Sequence, residues 1–145
     1  MTFGGSARVI RVSGPTATVQ SGDEVREASI IPRLPGKPLV VGDLVRWQAT
    51  GDEGVIEHIE ARRNLMHRQD EWKTKSFAAN LDAVLIIVAA DPPFSESQLA
   101  RALIAAESAG IAADVLLNKC DLPQAAAARD RLAPYRAMGV PVHEV

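Results

Sequence analysis

The chain has 145 residues, of which 47% are hydrophobic and 23% charged, and its formal net charge is −2. These values are typical of a folded globular protein and exclude a disordered chain. The longest apolar run, 83–90, is far shorter than the roughly 20 residues of a membrane-spanning helix, and the N-terminus lacks the features of a secretory signal. A cytoplasmic protein is therefore expected. The single cysteine, Cys120, excludes an internal disulfide, and the histidines lack ligand spacing, so no metal site is expected.

The region from Arg8 to Ile59 contains short segments rich in β-branched residues, separated by turn residues at intervals of roughly 8 to 12 positions. Five such segments within about 55 residues predict a small barrel of the OB type. Trp47 shares a strand face with Val45, which favours a place in the barrel core over a stacking surface. The expected strands are Arg8–Val12, Thr16–Gln20, Val25–Ile31, Leu44–Gln48 and Val55–Ile59.

Two basic segments are candidate contacts for RNA phosphates. The longest barrel connection carries three prolines together with Arg33 and Lys37, which predicts an exposed and partly stiffened loop that can reach a partner. The segment after the barrel contains Arg62, Arg63 and Arg68. Each phosphate contact adds salt-dependent affinity. For the second segment, a solvated linker between domains is an equally good interpretation.

After Ser76 the pattern changes to long apolar strands that alternate with helices, as in a parallel α/β sheet. Ser95 is the expected N-cap of the first helix, with Gln98 at its third position, and Gly110 ends that helix. The sequence therefore predicts a β-α-β-α-β order. The expected strands are Ala83–Ala90, Asp114–Leu117 and Val140–Val145, and the second helix runs from Pro123 to Met138.

The sequence Asn118-Lys119-Cys120-Asp121 directly follows the second of these strands. Open α/β sheets bind their ligands at such strand ends. An Asn amide can bond the O6/N7 edge of guanine, and an Asp carboxylate can accept from N1–H and the exocyclic amine, a donor pair that adenine lacks. Lys119 can lay its aliphatic stem over the base, while Cys120 packs or supplies a backbone group. The alternative is a plain strand-end turn in which Asp121 caps the next helix.

A guanine site needs a phosphate cradle, and the sequence G-x-x-x-x-G-K-[ST] occurs nowhere in the chain. In ordinary GTPases this loop precedes the guanine motif, but here a predicted barrel takes that place. Either the motif is accidental, or the GTPase elements are permuted so that the phosphate loop follows the guanine motif.

Six further segments of the chain are informative together: Val41–Val45, Thr50–Ile56, Arg62–Leu65, Ala79–Asp82, Pro92–Phe94 and Leu116–Asp121. With these segments the chain resembles the ribosome small-subunit-dependent, circularly permuted GTPases of the RsgA or YjeQ type. The resemblance covers almost the whole chain and concerns the N-terminal portion of that family.

The resemblance implies an N-terminal OB domain, then a circularly permuted P-loop GTPase domain, then a small zinc domain. In this chain it implies an RNA-binding OB domain at 1–62, a basic linker at 63–78 and an incomplete first part of the GTPase domain at 79–145. For an intact member it implies GTP or GDP binding, Mg²⁺-dependent GTP hydrolysis, and rRNA of the small ribosomal subunit as partner.

The resemblance limits this chain to guanine recognition through Asn118, Lys119, Cys120 and Asp121. No catalytic residue, metal ligand or zinc site is expected within it, and the chain alone is expected to be inactive and monomeric. The alternative function is a non-catalytic RNA-binding OB protein with an α/β interaction module, in which Asn118–Asp121 is a helix start.

Overall fold

The computed structural model describes residues 4–32, 34, 38–69 and 74–145. The chain divides into two compact units, Met1–Leu81 and Asp82–Val145, called here the barrel unit and the α/β unit. Among the residues described, no helix is both long enough and apolar enough to cross a membrane.

Five strands of the barrel unit form a closed barrel in the order β1-β2-β3-β5-β4. All neighbouring pairs are antiparallel except β3 and β5, which run parallel. The five-stranded OB-type barrel predicted from the sequence is therefore confirmed. The strands are β1 Gly4–Ser13, β2 Thr16–Ser21, β3 Glu24–Ile30, β4 Leu44–Thr50 and β5 Glu53–Ile59.

The barrel interior is filled by side chains that alternate along the strands with exposed ones. Val9, Val45 and Ile56 are fully buried, and Trp47 is 6% exposed. Trp47 thus belongs to the core, as its strand position predicted. A Cβ at Gly54 would lie 2.5 Å from the Trp47 ring, so only glycine leaves room for the indole at this point.

Two further strands, β6 (Leu65–Gln69) and β7 (Thr74–Ala79), form an antiparallel pair within the barrel unit. The sequence predicted a basic linker at 63–78, whereas most of this segment is paired strand. The pairing has an apolar basis, because Met66 and Ala79 are 5% and 0% exposed. The intervening charged residues hide this alternation in the sequence.

The α/β unit contains a parallel sheet in the order β10-β9-β8, with α1 and α2 as the crossovers. The predicted β-α-β-α-β order is observed. The α1 N-cap is also as predicted, because the Ser95 hydroxyl accepts a hydrogen bond from the Gln98 amide at 3.2 Å. The elements are β8 Ala83–Ala89, α1 Glu96–Ser108, β9 Ala112–Asn118, α2 Ala125–Ala137 and β10 Val142–Glu144.

The two faces of this sheet differ in how they are covered. Both helices pack on one face. The opposite face exposes 55% of Leu85 and 62% of Ile87, two large apolar side chains of β8. The core beneath the helices consists of Val88, Ala90, Leu99, Val115, Leu117, Ala125, Ala128 and Leu132.

Candidate functional site

The N-K-x-D sequence lies at the carboxyl end of the central strand of the α/β unit. Asn118 is the last residue of β9, and its carbonyl accepts a hydrogen bond from the Ala90 amide at 3.1 Å. Lys119 follows with a φ of +64°. Left-handed backbone in a residue other than glycine costs about 1–2 kcal/mol and is concentrated at functional sites. The motif is thus a shaped loop and not a continuation of the strand.

The backbone of the loop is satisfied by its own neighbourhood. The Cys120 amide donates to the Val145 carbonyl at 3.0 Å, and the Leu122 amide donates to the Lys119 carbonyl at 3.1 Å. The Cys120 thiol donates to the Leu117 carbonyl at 3.3 Å. Cys120 therefore acts on the loop itself, through its backbone and its packing.

Asn118 and Asp121 are both exposed. The Asn118 side-chain oxygen accepts from the Lys119 amide at 2.9 Å, which leaves the NH₂ group as the end of the amide that faces outward. Within the described part of the chain, the Asp121 carboxylate has no hydrogen-bond partner. The loop thus presents a donor at Asn118 and an acceptor at Asp121, which is the polarity that the guanine edge requires.

The Lys119 side chain joins two strand ends. Its ammonium donates to the Asp91 carbonyl, just beyond β8, at 2.8 Å. Because the charged end is held there, the methylene stem spans the gap between the ends of β8 and β9. A lysine stem held in this way offers apolar surface at the edge of the sheet.

The start of α2 bears on the alternative interpretation of the motif. The helix begins at Ala125, and its N-cap is Gln124, whose side chain makes no capping hydrogen bond. Asp121 lies before this position, outside the helix. The geometry therefore gives Asp121 no capping role, and the interpretation of Asn118–Asp121 as a helix start gains no support.

Strand β10 is fixed to α2 by charged side chains. Glu144 forms salt bridges with Arg129 and Arg136. The distance from Arg136 Nη2 to Glu144 Oε2 is 3.2 Å. The hydrogen bond from Arg129 is the main cause of a lowered pKa at Glu144, and it raises the pKa of Arg129. These contacts hold β10 in place. The residue that follows β10, Val145, accepts the hydrogen bond from the Cys120 amide at its carbonyl oxygen.

The candidate RNA contacts Arg33 and Lys37 lie outside the described residues. Arg62 is described, and its guanidinium is engaged within the barrel unit. Nε donates to Asp43 Oδ1 at 2.7 Å, and Nη2 donates to Asp43 Oδ2 and to the Pro38 carbonyl, both at 2.8 Å. This hydrogen bonding is the largest cause of the raised pKa of Arg62. Arg62 thus neutralises a fully buried carboxylate.

Arg63 and Arg68 are exposed but also have intramolecular contacts. The Arg63 amide donates to Asn80 Oδ1 at 2.7 Å, and its guanidinium donates to the Asn80 carbonyl at 3.1 Å. The three described candidates are therefore all partnered cations. Arg62 and Arg63 belong to the joint between the barrel and the β6–β7 pair rather than to a bare basic surface.

Several residues of this joint were not predicted from the sequence to have a role of their own. Asn64 exchanges two hydrogen bonds of 2.7 Å with the backbone of Leu81, and the Asn80 side-chain NH₂ group donates to the Gly42 carbonyl at 3.0 Å. The only sequence signal was that these residues fall in segments that match the resembled family. Their role here is structural, since they dock β6 and β7 against the barrel.

No three His, Cys, Asp or Glu side chains come together as a possible metal group in the part of the chain that is described. The phosphate-loop sequence is missing from the whole chain. The residues present fit the guanine end of a nucleotide, through one outward amide and one outward carboxylate.

The chain thus combines an OB-type barrel with a parallel α/β unit that carries an N-K-x-D sequence at the end of its central strand. The RsgA GTPase family model matches residues 59–145. This chain belongs to the RsgA GTPase family. Recognition of that family from the sequence is confirmed.

The chain is similar to curated proteins and to a solved structure. It is 60% identical over 108 residues to the Small ribosomal subunit biogenesis GTPase RsgA of Variovorax paradoxus, covering 74% of this chain and 34% of that protein. It is 46% identical over 140 residues to the protein of the same name from Burkholderia mallei, covering 95% and 45%. The crystal structure of YjeQ from Thermotoga maritima matches 98% of this chain and 51% of that one, with a TM-score of 0.70 and 24% identity. The chain thus spans about a third to a half of these relatives.

Proposed function

We propose that this chain is the RNA-facing and guanine-recognising portion of a GTPase that assists late maturation of the small ribosomal subunit. The observation that carries the proposal is the loop at the end of β9, where Asn118 and Asp121 are exposed with complementary polarity. The names of the relatives, Small ribosomal subunit biogenesis GTPase RsgA, support the same assignment.

Guanine recognition follows from hydrogen-bond polarity. The outward NH₂ of Asn118 donates to the O6/N7 edge, while Asp121 accepts from N1–H and the exocyclic amine of the base. Adenine presents an amine where guanine has O6, and its N1 has no hydrogen, so it leaves both protein groups mismatched. Lys119 covers the base with its stem, which the bond to Asp91 holds in place.

Hydrolysis requires parts that this chain does not contain. GTPases position the phosphates with backbone amides of the phosphate loop, its lysine, and a hydroxyl that holds Mg²⁺. The chain lacks that loop, so it holds the base of GTP or GDP but does not hydrolyse GTP alone. The phosphate and Mg²⁺ sites, the hydrolytic residue and the family's zinc domain are assigned to the portion of the relatives that the chain does not cover.

In the intact protein, the barrel contacts rRNA of the small subunit and the nucleotide state controls release. We assign this cycle to a monomer in the cytoplasm. The barrel supplies the RNA surface because OB folds commonly bind nucleic acid on their outer strands and loops.

The test uses a chimaera in which this chain is continued by the remaining part of the Variovorax paradoxus relative. Asp121→Asn is expected to weaken GTP binding by about 30- to 1,000-fold, equivalent to about 2–4 kcal/mol, and to favour xanthosine triphosphate. The new amide points a donor at the guanine amine, whereas xanthine offers a carbonyl there. Competition binding with GTP, ATP and xanthosine triphosphate measures the change.

Asp130→Asn is the matched control, because Asp130 is an exposed acid of α2 and its substitution removes the same charge. Its nucleotide preference is expected to stay unchanged. A folded Asp121→Asn chimaera that still prefers GTP would show that Asn118–Asp121 is only a structural turn.

A further inference from the structure

The arginines of the barrel unit fall into two groups. Five of the seven described there contact partners within the protein, whereas Arg8 and Arg11 of β1 are exposed and bond no acid or acceptor in the described residues. The partnered arginines are Arg26 with Glu24, Arg46 with Glu60, Arg62 with Asp43, Arg63 with Asn80, and Arg68. Among the described arginines of the barrel unit, the two left available by the fold therefore lie together on one strand.

A β-bulge places these two arginines on the same face of β1. Residues three positions apart point to opposite faces of a regular strand, so Arg11 would face the core if Arg8 faced water. In the structure Val9 pairs with Val19, but Arg11 pairs with Thr18, so two steps along β1 match one step along β2. The extra residue is Ile10. Bulges commonly re-aim side chains next to functional sites.

The neighbours of the two arginines define the surface around them. Arg8 lies opposite Gln20 and Arg11 opposite Thr18, which are two positions apart on β2 and share its outer face. The two arginine positions are therefore roughly 7 Å apart along the strand. Between them Ile10 is 39% exposed and offers apolar contact.

One acidic residue limits the direction of a ligand on this surface. Glu27 of β3 lies beyond Thr18 and accepts a hydrogen bond from the Thr18 hydroxyl at 2.6 Å. Its negative charge disfavours a polyanion that crosses from β1 onto β3. A polyanion that follows β1 meets Arg8 and Arg11 in succession and avoids Glu27.

We propose that the outer face of β1, through Arg8 and Arg11, binds the phosphate backbone of RNA. The proposal rests on the RNA-facing function of the barrel and gives that function a site. Arginine suits this role because its planar guanidinium can donate two parallel hydrogen bonds to one phosphate. Contacts of this kind position RNA without reading its sequence, so the site has slight sequence preference. The bulge is the structural device that doubles the number of phosphate contacts on one strand.

The test measures binding of the fluorescently labelled chain to purified bacterial small ribosomal subunits at several KCl concentrations. Arg8→Gln and Arg11→Gln are each expected to weaken binding roughly five- to tenfold at about 0.1 M salt, and to reduce the slope of log K against log salt by about one. In the double variant, the slope of log K against log salt is expected to fall by about two. Circular dichroism checks that each variant is folded.

Arg101→Gln is the control, because Arg101 is an exposed arginine of α1 in the other unit and the same charge is removed. Its slope is expected to stay unchanged. A double variant with the slope of the unsubstituted chain, or an equal loss in Arg101→Gln, would overturn the proposal.

A second arm repeats the titrations with protein-free rRNA. The same dependence on Arg8 and Arg11 is expected there. Dependence on intact subunits alone would assign the face to an acidic ribosomal protein and overturn the RNA assignment. Failure of the unsubstituted chain to bind either probe would instead contradict the RNA-facing function itself.

Discussion

The barrel unit and the α/β unit differ in how completely they bury their own sheets. The barrel is closed, so each of its five strands is paired on both sides around one core. The parallel sheet has helices on only one face, and Leu85 and Ile87 face water on the other. Parallel sheets are normally covered on both faces.

The two units therefore draw their stability from different sources. The barrel unit obtains apolar burial and a buried ion pair from its own residues. The α/β unit obtains burial from one face only, although its loop Asn118–Asp121 is already shaped. The shape of the loop therefore does not depend on burial of both faces of the sheet. Local hydrogen bonds order the strand end, although one face of the sheet stays uncovered.

The largest expected effect comes from breaking the closed unit at its buried charge. Arg62→Met leaves the carboxylate of Asp43 buried without its cation, and removal of one partner from a buried pair costs about 3–5 kcal/mol. Urea denaturation monitored by hydrogen exchange should show this loss of stability at the backbone amides of the barrel. Arg46→Met is the control, because its pair with Glu60 is on the surface and is worth less than about 1 kcal/mol. Equal losses would contradict a special role for the buried pair.

A second substitution probes the joint between the barrel and the β6–β7 pair. Gly42 has a φ of +93°, and a Cβ there would lie 2.0 Å from the Ala79 carbonyl oxygen. Gly42→Ala is expected to destabilise the barrel unit by about 3 kcal/mol, through strain and through displacement of β7. The Ala79 amide, which bonds the Val41 carbonyl, should then exchange faster.

Gly14→Ala separates strain from collision. Gly14 also has a positive φ, +59°, but a Cβ there would meet nothing within 4 Å. Its expected loss is only about 1 kcal/mol, from the left-handed backbone. If the two alanine variants lose the same stability, the contact with Ala79 does not matter.

The smallest expected effect on stability is on the bare face of the sheet. Ile87→Thr should change the free energy of unfolding by less than about 0.5 kcal/mol and reduce self-association, measured by light scattering. Val88→Thr, one position along β8 but beneath the helices, places a hydroxyl in the core and should lose about 1–3 kcal/mol. A large loss in Ile87→Thr would mean that this face is already covered.

Local patterns made the fold largely predictable from the sequence. Alternating apolar residues gave the five barrel strands, and long apolar runs gave β8 and β9, with boundaries within a few residues except at the start of β1. The pair β6–β7 was missed because charged residues hide the alternation of its apolar ones, and because part of its stability comes from residues distant in sequence. Its bridge from Ala78 goes to Val41, and its joint depends on Asn80. Short strands of this kind carry little signal of their own.

The candidate site was predictable in position but not in shape. The N-K-x-D motif and the apolar strand before it predicted that Asn118–Asp121 lies at a strand end. Neither feature predicts the left-handed backbone of Lys119 or the hydrogen bond from its ammonium to the Asp91 carbonyl. The basic residues were harder, since charge alone does not distinguish a partnered arginine from an available one. Arg62 has its partner at Asp43, 19 positions away, and only the folded chain brings them together.

The hydrogen bond from the Ala90 amide to the Asn118 carbonyl has a spectroscopic consequence. Ala90 directly follows β8 and Asn118 ends β9, so the proton observed lies at the end of one strand while the peptide that polarises it belongs to the loop Asn118–Asp121. Any ligand that tilts the Asn118 peptide will move the Ala90 amide resonance without touching Ala90. An alanine-labelled sample therefore contains a native reporter for ligand binding at the loop, with no added dye and no substitution in the loop.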